Sequence, residues 1–193
     1  MLLVLGLAVI LSLSGCVSGP RPAPPATSGA QHLTALQAAD HFELRGRLAA
    51  SNGQDGFSAG LRWQQEYGEA SIDLSAPLGF GAAHIEQSRN TLMVTTSKGV
   101  TLNNAAASDQ LRAILGFDPP WTSLRYWMLG ASDPASSAQQ SFDAQQRLLQ
   151  LQQGGWQVDY AQYILVGQLW LPQRVTLTHQ SLRLRVAVDS WHL

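Results

Sequence analysis

A side-chain alternation that begins at Phe42 and returns until the C-terminus constrains this chain more than any other feature. In Phe42-Glu43-Leu44-Arg45-Gly46-Arg47-Leu48, the apolar residues and Gly46 share one face of a strand, while Glu43, Arg45 and Arg47 share the other. Phe57, Ala59, Leu61 and Trp63 repeat the pattern, as do Ala70, Ile72 and Leu74, with a turn near Tyr67-Gly68 between the two runs. Shorter runs follow in "AAHIEQ", "TLMVTT" and "GVTLN", separated by Ser88-Arg89-Asn90 and Lys98-Gly99. "RLLQLQQGGWQVDY" reads as a hairpin turning near Gly154-Gly155, and "LWLPQRVTLTH" and "LRLRVAVDSW" supply the last strands. Short, regularly spaced strands of this kind describe an antiparallel meander. A sheet of about ten strands that did not curl would expose edges and a poorly covered face, so this one is expected to curve strongly or close partly as a barrel.

The period changes where helices are expected. "AQHLTALQAADH" places Leu33 and Leu36 near helical spacing and predicts one short helix from about Ala30 to His41. In "SDQLRAILGF", Ser108 or Asp109 caps a helix that carries Leu111, Ile114 and Leu115 on one face and stops at Gly116. "DPPWTSLRYWMLG" starts behind two prolines, puts Leu124, Trp127 and Met128 on one face and ends at Gly130. Ser132 to Gln140 reads as a polar loop. The fold expected is mainly β with helices: an incomplete antiparallel barrel whose inserted helices act as a lid over one opening. Alternation describes a packed and a hollow interior equally well.

The front of the chain is of another kind. Leu2 to Leu13 is apolar apart from Gly6 and Ser12, too short to span a bilayer as a helix and of the length of a signal-peptide core. Leu13-Ser14-Gly15-Cys16 follows, and it resembles the lipobox of bacterial lipoproteins, in which the cysteine is acylated and becomes the new N-terminus. Cys16 is the chain's one cysteine, which excludes a disulfide framework. No Lys or Arg precedes the apolar run, a departure from the usual basic start of a signal peptide. Val17, not Asp, follows the cysteine, and by the same resemblance this favours the outer membrane. Pro20, Pro22, Pro24 and Pro25 lie among small residues in a stretch that cannot bury a core and reaches on the order of 40 Å when extended. The expected organisation is a signal peptide over 1–15, a lipidated cysteine and flexible tether over 16–30, and a single domain over 31–193. With 45% hydrophobic and 13% charged residues and a formal net charge of −1, the chain is not a basic nucleic-acid binder, and its partners are sought by apolar contact.

One turn stands out. In Ala76-Pro77-Leu78-Gly79, Pro77 suits the second position of a type I turn and Gly79 the fourth, which puts Leu78 at the tip. Leu78 either points outward as a membrane-insertion device or folds back onto the sheet as a core residue.

Several segments, in order, resemble the LolB family of outer-membrane lipoproteins: the lipobox, "FELRGRL", "RWQQ", "PLGF", "GFDPPWTSLRYWMLG", "GGWQVDY", "LPQRVTL" and "RLRVAVDSW". The spacing from Gly116 through Pro119, Pro120, Leu124, Trp127 and Met128 to Gly130 is the most distinctive part. The resemblance implies a receptor that accepts acylated lipoproteins from a LolA-like periplasmic carrier and inserts them into the outer membrane from its periplasmic face. It also implies a protruding loop, here Pro77, Leu78, Gly79 and Phe80, whose leucine engages lipid. No cofactor or metal is implied, and a monomer is expected. Leu61, Trp63, Leu124, Trp127, Met128 and Trp156 are candidates for the acyl-chain cavity or its lid, against plain core packing as the alternative. Arg45, Arg47, Arg183 and Arg185 either meet an acidic surface of the carrier or solvate the outer face of the sheet.

Two rival classes stand beside this one. One is an envelope lipoprotein that carries another lipid or scaffolds outer-membrane assembly without transfer. The other is an enzyme built on His84, Glu86, Asp73, Ser71, His41 or His179, and it is not expected, because no nucleophile elbow, metal spacing or paired-carboxylate motif accompanies those residues.

Overall fold

The computed structural model describes residues 29–53, 55–75, 82–115 and 117–193. The expected signal peptide, Cys16, the expected tether to residue 28, the segment with Pro77, Leu78, Gly79 and Phe80, and Gly116 lie outside the described residues. Helix α1 (Gly29–Ala38) leads into β1 (His41–Ser51), and five hairpin-linked strands follow: β2 (Gly56–Glu66), β3 (Glu69–Ser75), β4 (Ala82–Gln87), β5 (Leu92–Thr96) and β6 (Thr101–Asn103). Helices α2 (Asn104–Leu115) and α3 (Trp121–Leu129) then interrupt the sheet. The chain returns through β7 (Gln139–Phe142), β8 (Leu148–Gln153), β9 (Trp156–Val166), β10 (Leu169–His179) and β11 (Leu182–His192).

All eleven strands form one sheet in the order β6-β5-β4-β3-β2-β1-β11-β10-β9-β8-β7, and the strand pairs are antiparallel. The first and last strands pair at the centre, so the chain walks out to one edge, crosses through α2 and α3, and walks back from the other. β6 and β7 do not pair with each other, and the barrel is open between them. The crossing helices therefore have to pass over the apolar face that the curl creates.

That face follows from alternation. Phe42, Leu44, Leu48 and Ala50 of β1 are buried, as are Ala59, Leu61 and Trp63 of β2 and Leu182, Leu184, Val186 and Val188 of β11. A β-bulge between Arg45 and Gly46 shifts the register against β11, so that Arg45 faces Ser190 and Gly46 faces Val188. The phase change turns Trp191 inward with Val188, and its indole N–H donates to the Pro172 carbonyl at 3.0 Å while its ring meets Phe42 edge-on. Gly46 is required at the bulge: a Cβ there would run into the Ala187 carbonyl oxygen.

Three sequence expectations are corrected. α2 starts at Asn104 rather than Ser108 or Asp109. Ala105, Ala106 and Ala107 are strong helix formers, and Asn104 tolerates its φ of 46° while its side-chain oxygen accepts from the Leu92 N–H. The polar loop is shorter than expected because Gln139–Phe142 pairs with β8 as an edge strand, which brings the total to eleven. α1 ends at Ala38, since His41 is already in register with Glu66 of β2. The helix behind the two prolines begins at Trp121 and ends on Gly130 at φ 81°, as the Pro and Gly positions predict.

Gly46→Ala is expected to lower the stability of the soluble domain by about 2 kcal/mol or more, or to prevent folding, because backbone must move to admit the methyl group. Urea unfolding of the variant beside the parent measures this.

Candidate functional site: an apolar cavity under a helical roof

Inward-facing side chains of six strands line a partly open cavity of about 70 Å³. Leu61, Trp63, Ile72 and Ile85 form one side, and Leu177, Leu184 and Val186 the other. Its roof is the α2–α3 corner: Phe117, Pro119, Trp121, Leu124 and Met128. Every lining residue is apolar. A cavity of about 150 Å³ takes a benzene, so the space present is too small for an acyl chain while the roof is in place.

Four candidates from the sequence, Leu61, Trp63, Leu124 and Met128, stand on this cavity, whereas Trp127 and Trp156 stand behind it. Their rings lie 5.9 Å apart, Phe117 meets Trp156 at 5.5 Å, and His179 stacks on Trp156 at 5.0 Å. The two tryptophans thus support the roof from the side. Alternation and helical spacing could not find Phe117, Pro119 and Trp121, although all three fall within the Gly116-to-Gly130 segment already singled out.

The two ends of α3 are held very differently. At its C-terminal end, the side-chain oxygen of buried Gln153 accepts from the Trp127 indole at 2.8 Å and from the Asp133 N–H at 2.9 Å. The Gln153 amide donates in turn to the carbonyls of Asp133 and Ser136. Gln37 of α1 and Gln140 of β7 both donate to Ser132. The bonds of Gln153 to Trp127 and Asp133 are buried, and breaking them strands buried polar groups. At the N-terminal end, Pro120 makes no side-chain cap, and Ser123 in the first turn donates to the Asp133 carboxylate at 2.8 Å through a half-buried bond. The tie just before the helix is exposed: Arg112 of α2 grips Asp118 through both carboxylate oxygens at 2.8–2.9 Å and also meets Asp109. The Asp118 contact holds the Arg112 proton more tightly than usual, but solvent screens the pair and leaves it a weak fastening.

On the outer face, Arg45 and Arg62 share Glu43, whose carboxyl is held below its ordinary range by those hydrogen bonds, Arg45 first. Arg47 meets Asp189 at 3.2 Å, while Arg183 and Arg185 form no ion pair among the described residues. His84 sits between two carboxylates, with Nδ1 2.7 Å from Asp73 and Nε2 3.3 Å from Glu86. Both ring nitrogens are occupied, and Ser71 takes no part. Among the described residues, no three His, Cys, Asp or Glu side chains are placed to hold a metal, and no helix is long and apolar enough to cross a membrane.

A curled, unclosed antiparallel sheet whose apolar interior is roofed by two crossing helices defines the class: a half-barrel with a greasy, coverable hollow. Solved structures share this fold, among them a LolA superfamily protein from Nitrosomonas europaea, at TM-score 0.55 and 8% identity over 87% of this chain and 94% of that one. A DUF1329 family protein from Desulfovibrio piger aligns at TM-score 0.55 and 7% identity over 88% and 93%. The family described as "Outer membrane lipoprotein LolB" matches residues 40–191. Proteins named outer-membrane lipoprotein LolB from Nitrosococcus oceani and Alkalilimnicola ehrlichii are 33% and 30% identical, over 95% and 100% of this chain and 94% and 96% of theirs. The chain belongs to the LolB family.

Two outcomes test the geometry. Gln153→Met leaves the Trp127 and Asp133 N–H groups buried without an acceptor, and it is expected to cost about 3 kcal/mol in urea unfolding. His84 is the pH-sensitive group: its hydrogen bond to Asp73 raises its pKa above the ordinary value, burial opposes this, and Glu86 adds to it. A raised folded-state pKa gives stability that is full below about pH 6.5 and is lost as pH climbs through the raised value. The gap in melting temperature between parent and His84→Gln should therefore be wider at pH 5.5 than at pH 8.5.

Proposed function

We propose that this protein accepts acylated lipoproteins from a soluble periplasmic carrier, shelters their acyl chains beneath the α2–α3 roof, and inserts them into the inner leaflet of the outer membrane. The observation that carries this reading is the cavity, walled entirely by apolar side chains and covered by α3 and the corner before it, with the buried bonds of Gln153 gathered at the far end of that helix. A triacylated cargo carries about 45 methylenes, and at about 0.8 kcal/mol each their exposure to water costs on the order of 36 kcal/mol. Free diffusion between membranes is excluded at that cost, so handover runs between touching cavities. It proceeds without nucleotide when each acceptor holds the chains more favourably than its donor, with the bilayer as the last sink.

Admission of a chain requires the roof to part. In this reading the corner from Phe117 to Trp121 lifts while Gln153 keeps the far end of α3 in place. Cys16 carries the lipid anchor, the residues after it form the leash, and Leu78, with Phe80 beside it, presses the turn after β3 into lipid while the cargo leaves. The small volume of the cavity favours a second reading, a scaffold with a filled interior that binds protein only. Native mass spectrometry of the soluble domain separates the two: bound acylated peptide or fatty acid supports transfer, and a persistently empty domain supports the scaffold.

A labelled lipoprotein bound to its carrier should pass to this domain in the absence of nucleotide, and failure to pass would remove the receptor role. Leu78→Glu should leave folding and acyl binding unchanged and reduce delivery into liposomes about tenfold or more, since a carboxylate at the tip resists entry into lipid. Delivery at the parent rate would take Leu78 out of the mechanism.

A further inference from the structure

The α2–α3 corner has two sides. Pro119 and Trp121 roof the apolar cavity and also wall a second, open cleft of about 650 Å³. The hollow at the β8–β9 turn and the pocket beneath α1 share no wall residue with the cavity. The cleft is polar where the cavity is not. One flank is the β4–β5 turn with Arg89 and Asn90, and the other is a stripe of α2 in which Asn104, Ser108 and Arg112 recur every four residues and so share a face. Thr122, in the first turn of α3, completes it. Asp118 is the one carboxylate on this wall, and Arg112 already engages it through both oxygens. Arg89 forms no ion pair among the described residues, so the cleft offers more donors than the protein itself satisfies.

An acylated lipoprotein is an amphiphile. Its hydrocarbon tails meet a glyceryl diester, then an amide-linked cysteine, then a polypeptide. Ester carbonyls accept hydrogen bonds and cannot donate them, and an apolar cavity leaves them unpaired. Tails under Trp121 therefore need a donor-rich site one wall away for the head that follows them. We propose that the cleft between the β4–β5 turn and α2 is the head-group subsite for the glyceryl-cysteinyl junction and the first peptide residues, with Arg89, Asn90, Ser108 and Thr122 supplying donors. The Pro119–Trp121 wall separates tails from head, and the exposed Arg112–Asp118 pair sets its position. This assignment rests on the acyl-cavity reading given above.

The test compares two probes on the soluble domain: hexadecane, which has no head group, and a synthetic dipalmitoylglyceryl-cysteinyl tetrapeptide, each measured by displacement of an uncharged fluorescent hydrocarbon. Thr122→Trp fills the cleft from an exposed position, and Arg89→Ala removes a donor from a turn without adding bulk. Both variants should weaken the lipopeptide about tenfold, the loss of one or two hydrogen bonds to a charged or oriented donor, and leave hexadecane within about twofold. Equal loss for both probes would mean that the variants only disturb the roof, and no loss for either would mean that the head lies elsewhere; each result overturns the subsite. If the parent bound neither probe, the acyl cavity itself would be refuted, and the subsite with it.

Discussion

An apolar face has to be covered, and the rest of this structure follows from how the chain covers it. Eleven antiparallel strands curl far enough to make an inside but do not meet, because β6 and β7 remain edges. The connection from one edge to the other is forced across the opening, and the sequence spends that connection on two short helices, of which α3 and the corner before it turn Phe117, Pro119, Trp121, Leu124 and Met128 toward the wall they face. The same face that would drive aggregation if left bare becomes a covered hollow. The central pairing of β1 with β11 makes this possible, since it lets the chain's two halves grow outward from one seam.

A cover with equal fastenings at both ends would only complete a core. Here the fastenings differ in kind. Gln153 ties the indole of Trp127 and the turn at Asp133 together out of reach of water, with Trp156 tilted against that indole. The opposite end rests on apolar contact, one half-buried bond from Ser123 to Asp133 and a solvated arginine. Regions that must move are drawn from the less stable parts of a fold, and the less tightly tied part of this roof is the part that borders both the cavity and the polar cleft.

The strands and their inward faces were legible because period-two burial depends on neighbours in sequence: Leu44, Leu61, Ile72 and Leu184 were assigned inward from alternation alone and are buried. The Pro-Pro start and Gly130 stop of α3 were legible because they act on the backbone locally. β7 was not, since Gln139–Phe142 has nothing to bury and exists only through its partner. The head of α2 was missed because Asn104 turns the chain with a positive φ that no periodicity announces. At the site, alternation and helical spacing gave Leu61, Trp63, Leu124 and Met128 but also Trp127 and Trp156, which brace the roof instead of lining the cavity. Gln153 looked like one polar residue of a hairpin, and its role depends on three partners 17 to 26 residues away.

Fat-soluble chains can enter a 70 Å³ space only if its ceiling rises, and the buried bonds of Gln153 favour the Phe117–Trp121 side as the one that lifts. A structure of the domain bound to a triacylated peptide tests this most directly. It should show the hollow enlarged several-fold, with the segment from Phe117 to Trp121 displaced and the contact between Trp127 and Gln153 intact. Tails bound outside, with that segment where it lies now, would contradict the account.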